Sequence, residues 1–83
     1  MKPKHILHEA LERVERRRSL PCPAERRLLR LRAGLTLADV AESIGTTAPS
    51  VSRYETGRRS PRGLILDKYL EAIKALTHAK PTT

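Results

Sequence analysis

The sequence predicts an all-α fold, a small bundle of about five helices, and three features carry that reading. Apolar residues recur at helical spacing in every periodic segment. Alternating, β-branched strand patterns are absent, and prolines and glycines fall at or between the segment ends. Aromatics are confined to Tyr54 and Tyr69, so the core must be assembled from Leu, Ile, Val and Ala. Pro21 and Pro23 set off an N-terminal basic, amphipathic helix or arm (1–20) from a central domain (21–77), and residues 78–83 read as a flexible tail.

The first helix, from about His5 to Arg18, places Ile6, Leu7, Ala10, Leu11 and Val14 on one stripe. Arg16, Arg17 and Arg18 fall in its last turn, where cations suit the negative end of the helix dipole. Its role stays open between a helix packed on the domain with solvated arginines, a dimerisation arm, and a basic arm on phosphates. The second helix runs from Ala24 to Ala33, with Pro23 before it and Gly34 ending it. Leu29 and Ala33 share one face, with Leu28 and Leu31 beside it. Arg26, Arg27 and Arg32 are expected in solvent or near phosphate, whereas Arg30 lies on or beside the apolar face and needs a partner.

Thr36-Leu37-Ala38-Asp39 is a capping-box sequence opening a third helix, with Val40, Ala41 and Ile44 apolar and Gly45 at its end. Thr46 and Thr47 make the turn; Thr47 is a good N-cap for the fourth helix, and Pro49 falls in the first turn, where a missing N–H costs nothing. Val51 and Tyr54 are expected inward, and Gly57 ends this helix. The fifth, about Leu64 to Thr77, carries Leu66, Tyr69, Leu70, Ile73 and Leu76 on a broad stripe, with Leu64 and Ile65 widening it. One side of that surface closes the core, and the remainder either packs there too or forms a two-fold contact with a second copy.

Length and charge narrow the function. The chain of 83 residues carries 17 Lys+Arg against 9 Asp+Glu, a net charge of +8, with a pI near 10.6. Such a balance fits polyanion binding, a membrane surface, or simple solubility. No apolar run approaches the roughly 20 residues needed to span a bilayer. No hydrophobic segment follows Lys2 and Lys4, and a lone Cys22 forms no internal disulfide, so a cytoplasmic, reducing compartment is expected. Enzymatic activity is not expected: one small domain leaves little room for a catalytic pocket, and no Ser–His–Asp order, glycine-rich phosphate loop or paired carboxylates occur. No cofactor is expected either. His5 and His8 stand three apart, a possible metal grip, but no carboxylate is expected on the same face, and His78 lies in the fraying end.

Ala41, Gly45 and Val51 stand four and six residues apart. Two short helices joined by a tight turn need a small residue where they cross, one tolerant of positive φ in the turn, and an apolar anchor on the second helix. These three supply those needs, at the spacing of a helix-turn-helix.

With Ala33-Gly34-Leu35-Thr36, Val40-Ala41, Ile44-Gly45, Val51-Ser52-Arg53-Tyr54-Glu55, Gly57-Arg58-Arg59 and Pro61 in order, residues from about Ala24 to Leu76 resemble the lambda/434 repressor and Cro-type (XRE-like) helix-turn-helix DNA-binding family. The resemblance implies that the helix Ala48–Thr56 enters the major groove, with Ala48, Pro49, Ser52 and Arg53 at base edges. Arg53 has the fork to read guanine O6 and N7. Thr36, Thr47, Ser50, Arg58, Arg59 and Arg62 match phosphate-binding regions. Arg30 and Glu55 match a family ion pair between the first domain helix and the recognition helix. Two departures stand out: Leu37 where many relatives have a phosphate-binding Gln, and Thr46 where the turn is commonly apolar. Residues 1–23 lie outside the resemblance.

The function implied is a sequence-specific double-stranded DNA-binding transcriptional regulator, a repressor in the simplest case, of prokaryotic or phage origin, nucleoid-associated and a homodimer on DNA. Alternatives are an antitoxin or adaptor that holds a protein partner through the N-terminal helix, and an architectural or recombination-directionality factor of a mobile element.

Overall fold

In the computed structural model, which describes residues 3–79 and side chains from Leu7 onward, five helices follow in order. They are α1 (Pro3–Arg18), α2 (Pro23–Arg32), α3 (Leu37–Ile44), α4 (Ala48–Thr56) and α5 (Gly63–His78). The expectations for the side chains of His5 and Ile6, and for the tail over residues 80–83, lie outside the described residues. His78, assigned to the tail from sequence, is the last residue of α5.

Local chemistry sets the ends of α3 and α4. Thr36 is extended; its Oγ1 accepts the Asp39 N–H at 3.0 Å, while the Asp39 carboxylate accepts the Thr36 N–H at 2.9 Å. A cap of this kind contributes about 1 kcal/mol. At the other end Gly45 turns left-handed (φ 80°), so its N–H and that of Thr46 both reach the Ala41 carbonyl at 2.9 Å. Thr47 then caps α4 by accepting the Ser50 N–H at 3.3 Å.

The core lies where α3, α4 and α5 converge. Val40, Ala41 and Ile44 from α3, Val51 and Tyr54 from α4, and Tyr69 and Ile73 from α5 form one buried cluster. Leu29, Leu35, Leu37, Ile65, Ala72 and Leu76 pack around it, half-buried. The two tyrosines meet with ring centroids 5.6 Å apart, tilted by 38°, an arrangement that adds to area burial. Leu37, the departure from the family glutamine, is thus spent on packing.

One expectation is overturned. Arg26 is buried rather than solvated or near phosphate: its guanidinium lies 5.5 Å from the Tyr69 ring centroid and its Nε donates to the Pro21 carbonyl at 3.0 Å. Arg26 and Arg30, one helical turn apart, share the inward face of α2, and the aromatic ring offers a cation a favourable surface inside. Leu28 and Leu31 are instead exposed. The sequence leaves the role of α1 open. Its apolar stripe does not pack on the domain; Leu7 is 62% exposed, Leu11 60% and Val14 37%. The arginine side meets α5, with Arg16 Nε 3.2 Å from an Asp67 carboxylate oxygen. Arg13, Arg16 and Arg17 line a depression with Arg62, Gly63 and Leu66.

Candidate nucleic-acid interface

α4 is held from behind and open in front. Val51, Tyr54 and Glu55 are buried, while Pro49 and Arg53 are exposed and Ala48, Ser50 and Ser52 half-buried. This division follows from helical period: residues three and four apart share a face, so Val51, Tyr54 and Glu55 fall together, and Pro49 and Arg53 opposite. Past the helix, Gly57 adopts φ 78°. The chain then curls so that the Arg53 carbonyl accepts from the N–H groups of Arg58 at 2.9 Å and Arg59 at 3.3 Å. This fold-back keeps the exposed side chains of Arg58 and Arg59 close to α4; Arg62 is exposed just before α5. Thr36 and Thr47 stand exposed at the positive ends of α3 and α4.

The hydroxyls are already partly engaged. Thr36 Oγ1 accepts within its capping box, and Thr47 Oγ1 shares a hydrogen bond with Ser50 Oγ at 3.0 Å. Either hydroxyl of that pair can be the donor, and the other keeps its proton for an outside oxygen.

Behind α4 sits a buried ion pair. Arg30 Nε donates to Glu55 Oε2 at 2.7 Å and Nη2 to Oε1 at 3.0 Å; the side chains are 9% and 5% exposed. Nη1 donates to the Leu35 carbonyl at 2.9 Å, so the same guanidinium grips the loop before α3. The Glu55 hydrogen bond raises the Arg30 pKa further above its ordinary value, against the opposing pull of burial. Burial raises the Tyr69 hydroxyl pKa, and nearby Arg26 works in the other direction. Both the Tyr69 hydroxyl and Arg26 Nη1 are buried with no hydrogen-bond partner among the described residues. The Arg30–Glu55 pair thus ties α2 to the back of α4, and Arg26 over the Tyr69 ring joins α2 to α5. Reading the sequence misses Arg26 in this role; the signal available was its spacing of four from Arg30, a residue already needing a partner.

No metal site takes shape: no group of three potential ligands occurs among the described residues. His8 lies 3.5 Å from Glu12, a carboxylate one turn along that the sequence reading had not placed on its face. Among the described residues no helix is long and apolar enough to cross a membrane.

Two capped helices that bury Ala41 and Val51 in one cluster and turn at Gly45, the second flanked by exposed arginines, define a helix-turn-helix DNA-binding domain. A helix-turn-helix domain family matches the chain over residues 24–79, and the chain belongs to that family, of the Cro/XRE type. No curated protein and no solved structure gives a match. The class of ligand is DNA, and the family is typically non-enzymatic.

Proposed function

We propose that this protein is a sequence-specific regulator of transcription that represses by occupying duplex DNA as a homodimer. The observation that carries the reading is the two-sided character of α4: Val51, Tyr54 and Glu55 buried, Arg53 exposed, with the exposed Arg58, Arg59 and Arg62 following. In this reading Arg53 donates in fork fashion to guanine O6 and N7, and Ser52 meets a neighbouring base edge. Ala48 and Pro49 touch thymine methyls or fill the groove. Thr36, Thr47, Ser50, Arg58, Arg59 and Arg62 hold phosphates and supply the salt-dependent share of affinity. Leu37 is packed, so the arginines carry anchoring that a glutamine provides elsewhere.

Selection of bound sequences from random duplexes, at a fixed and stated salt concentration, tests this. Enrichment of a guanine-containing motif, repeated with two-fold symmetry, is the expected result. Recovery of unenriched sequence at every salt concentration defeats the reading of α4 as a base reader.

A further inference from the structure

The DNA reading leaves the exposed apolar stripe of α1 unused. Leu7, Leu11 and Val14 alternate at spacings of four and three, the pattern of a coiled-coil seam. All three are exposed, because α1 meets its own domain through Arg16. On α5, by contrast, Leu66, Tyr69 and Ile73 are buried in the same chain, and Leu64 at its start is the exposed leucine.

We propose that α1 pairs with α1 of a second copy of this chain, antiparallel, and that this contact holds the homodimer together. Self-pairing is the closed arrangement for a stripe that is its own complement, since a two-fold contact uses one patch on both copies. Charge selects the direction. Arg16, Arg17 and Arg18 end the helix. Parallel pairing brings two such runs side by side, whereas antiparallel pairing places them at opposite ends and sets the helix dipoles in opposition. Setting Leu11 against Val14 of the second copy fixes the register, and it lays Leu7 along the aliphatic stem of the second copy's Arg18. His8 and Glu15 lie on one flank of the stripe, Ala10 and Arg17 on the other. In that register His8 meets Glu15 of the second copy, and the small Ala10 leaves room for Arg17. Among the described residues His8 makes an exposed contact with Glu12 of its own chain.

Three apolar side chains per copy fall well short of the roughly 800 Å² that each partner buries in a standard interface. The pair is therefore weak in free solution and tightens when two chains share one duplex. Only that last clause rests on the DNA reading; the pairing itself is tested without DNA, so the two fail separately.

The full chain is used throughout. Sedimentation equilibrium over rising concentration is expected to show a reversible monomer–dimer equilibrium, shifted to monomer by Leu11→Glu with the far-ultraviolet circular dichroism unchanged. Direction is read in a Cys22→Ser background. His8→Cys mixed with Glu15→Cys is expected to give a disulfide-linked heterodimer under mild oxidation, and neither alone a homodimer. The proposal is overturned if the parent stays monomeric at the highest concentration reached, or if Leu11→Glu dimerises as the parent does. It is equally overturned if His8→Cys and Glu15→Cys each link to themselves, or if the mixture does not link. Co-sedimentation with phosphatidylglycerol vesicles, lost in Leu11→Glu while the parent remains monomeric in solution, would hand the stripe to a membrane instead.

Discussion

Removing the Arg30 guanidinium, by Arg30→Met, strands the Glu55 carboxylate behind α4. That carboxylate is 5% exposed and receives two hydrogen bonds from Arg30, at 2.7 and 3.0 Å. Breaking a buried pair from one side costs about 3–5 kcal/mol, because an uncompensated charge stays behind. The Leu35 carbonyl loses its Arg30 donor as well, adding about 1 kcal/mol. Against a domain stability of about 5–15 kcal/mol, this is enough to leave a marginal protein partly unfolded at room temperature. The double variant Arg30→Met with Glu55→Leu removes both charges while keeping volume, and is expected near parent stability or above it. Urea unfolding at neutral pH, followed by circular dichroism for all four members of the cycle, measures the coupling. The reasoning is refuted if Arg30→Met costs less than about 1 kcal/mol, or if the two single effects simply add.

Other outcomes follow from the same contacts. Gly45→Ala is expected to lower stability by roughly 1–2 kcal/mol through left-handed strain alone, since at φ 80° the added methyl has no neighbour nearer than Lys68 Nζ at 3.8 Å; thermal melts measure it, and Gly45→Asn should lose less. The Thr36 N–H and hydroxyl hold the Asp39 carboxyl below its ordinary value. Its stabilisation of α3 is thus complete above the unfolded carboxylate pKa, near 4, and disappears as pH falls through the lower folded value. Asp39→Asn should flatten the acid limb of the stability curve, and a carbon-13 titration of Asp39 reads the shift directly. Arg53→Ala is expected to cost roughly 1–3 kcal/mol on the selected site and level the preference among sequences. Arg58→Ala or Arg59→Ala should instead weaken all duplexes alike and reduce the salt slope by about one each, as anisotropy titrations across salt will show.

The helix ends are written plainly in the sequence, because capping is decided within a few residues. Thr36 with Asp39, Thr47 with Ser50, and the left-handed glycines at 45 and 57 all act over a single turn. The orientation of α1 is a different matter. Periodicity says which residues share a face, but not what that face meets, and the contact between Arg16 and Asp67 joins residues fifty-one apart. Arg26 shows the same limit inside the site. Composition and charge send an arginine to the surface, and only the tertiary arrangement of Pro21 and Tyr69 supplies the carbonyl and ring that receive it. Arg30 is intermediate: its place on α2 shows that it needs a partner, while the contact with Glu55 spans 25 positions of chain.

The division of α4 into a bolted rear and an unburdened front has a consequence for change over time. Pro49 and Arg53 project into solvent and take no part in the buried cluster or the clamp. Exchanging them rewrites the outward chemistry at little cost to the frame that presents it. Such a helix behaves as a replaceable key on a permanent shaft: new lettering can be cut into one edge while Val51, Tyr54 and Glu55 keep the blank seated.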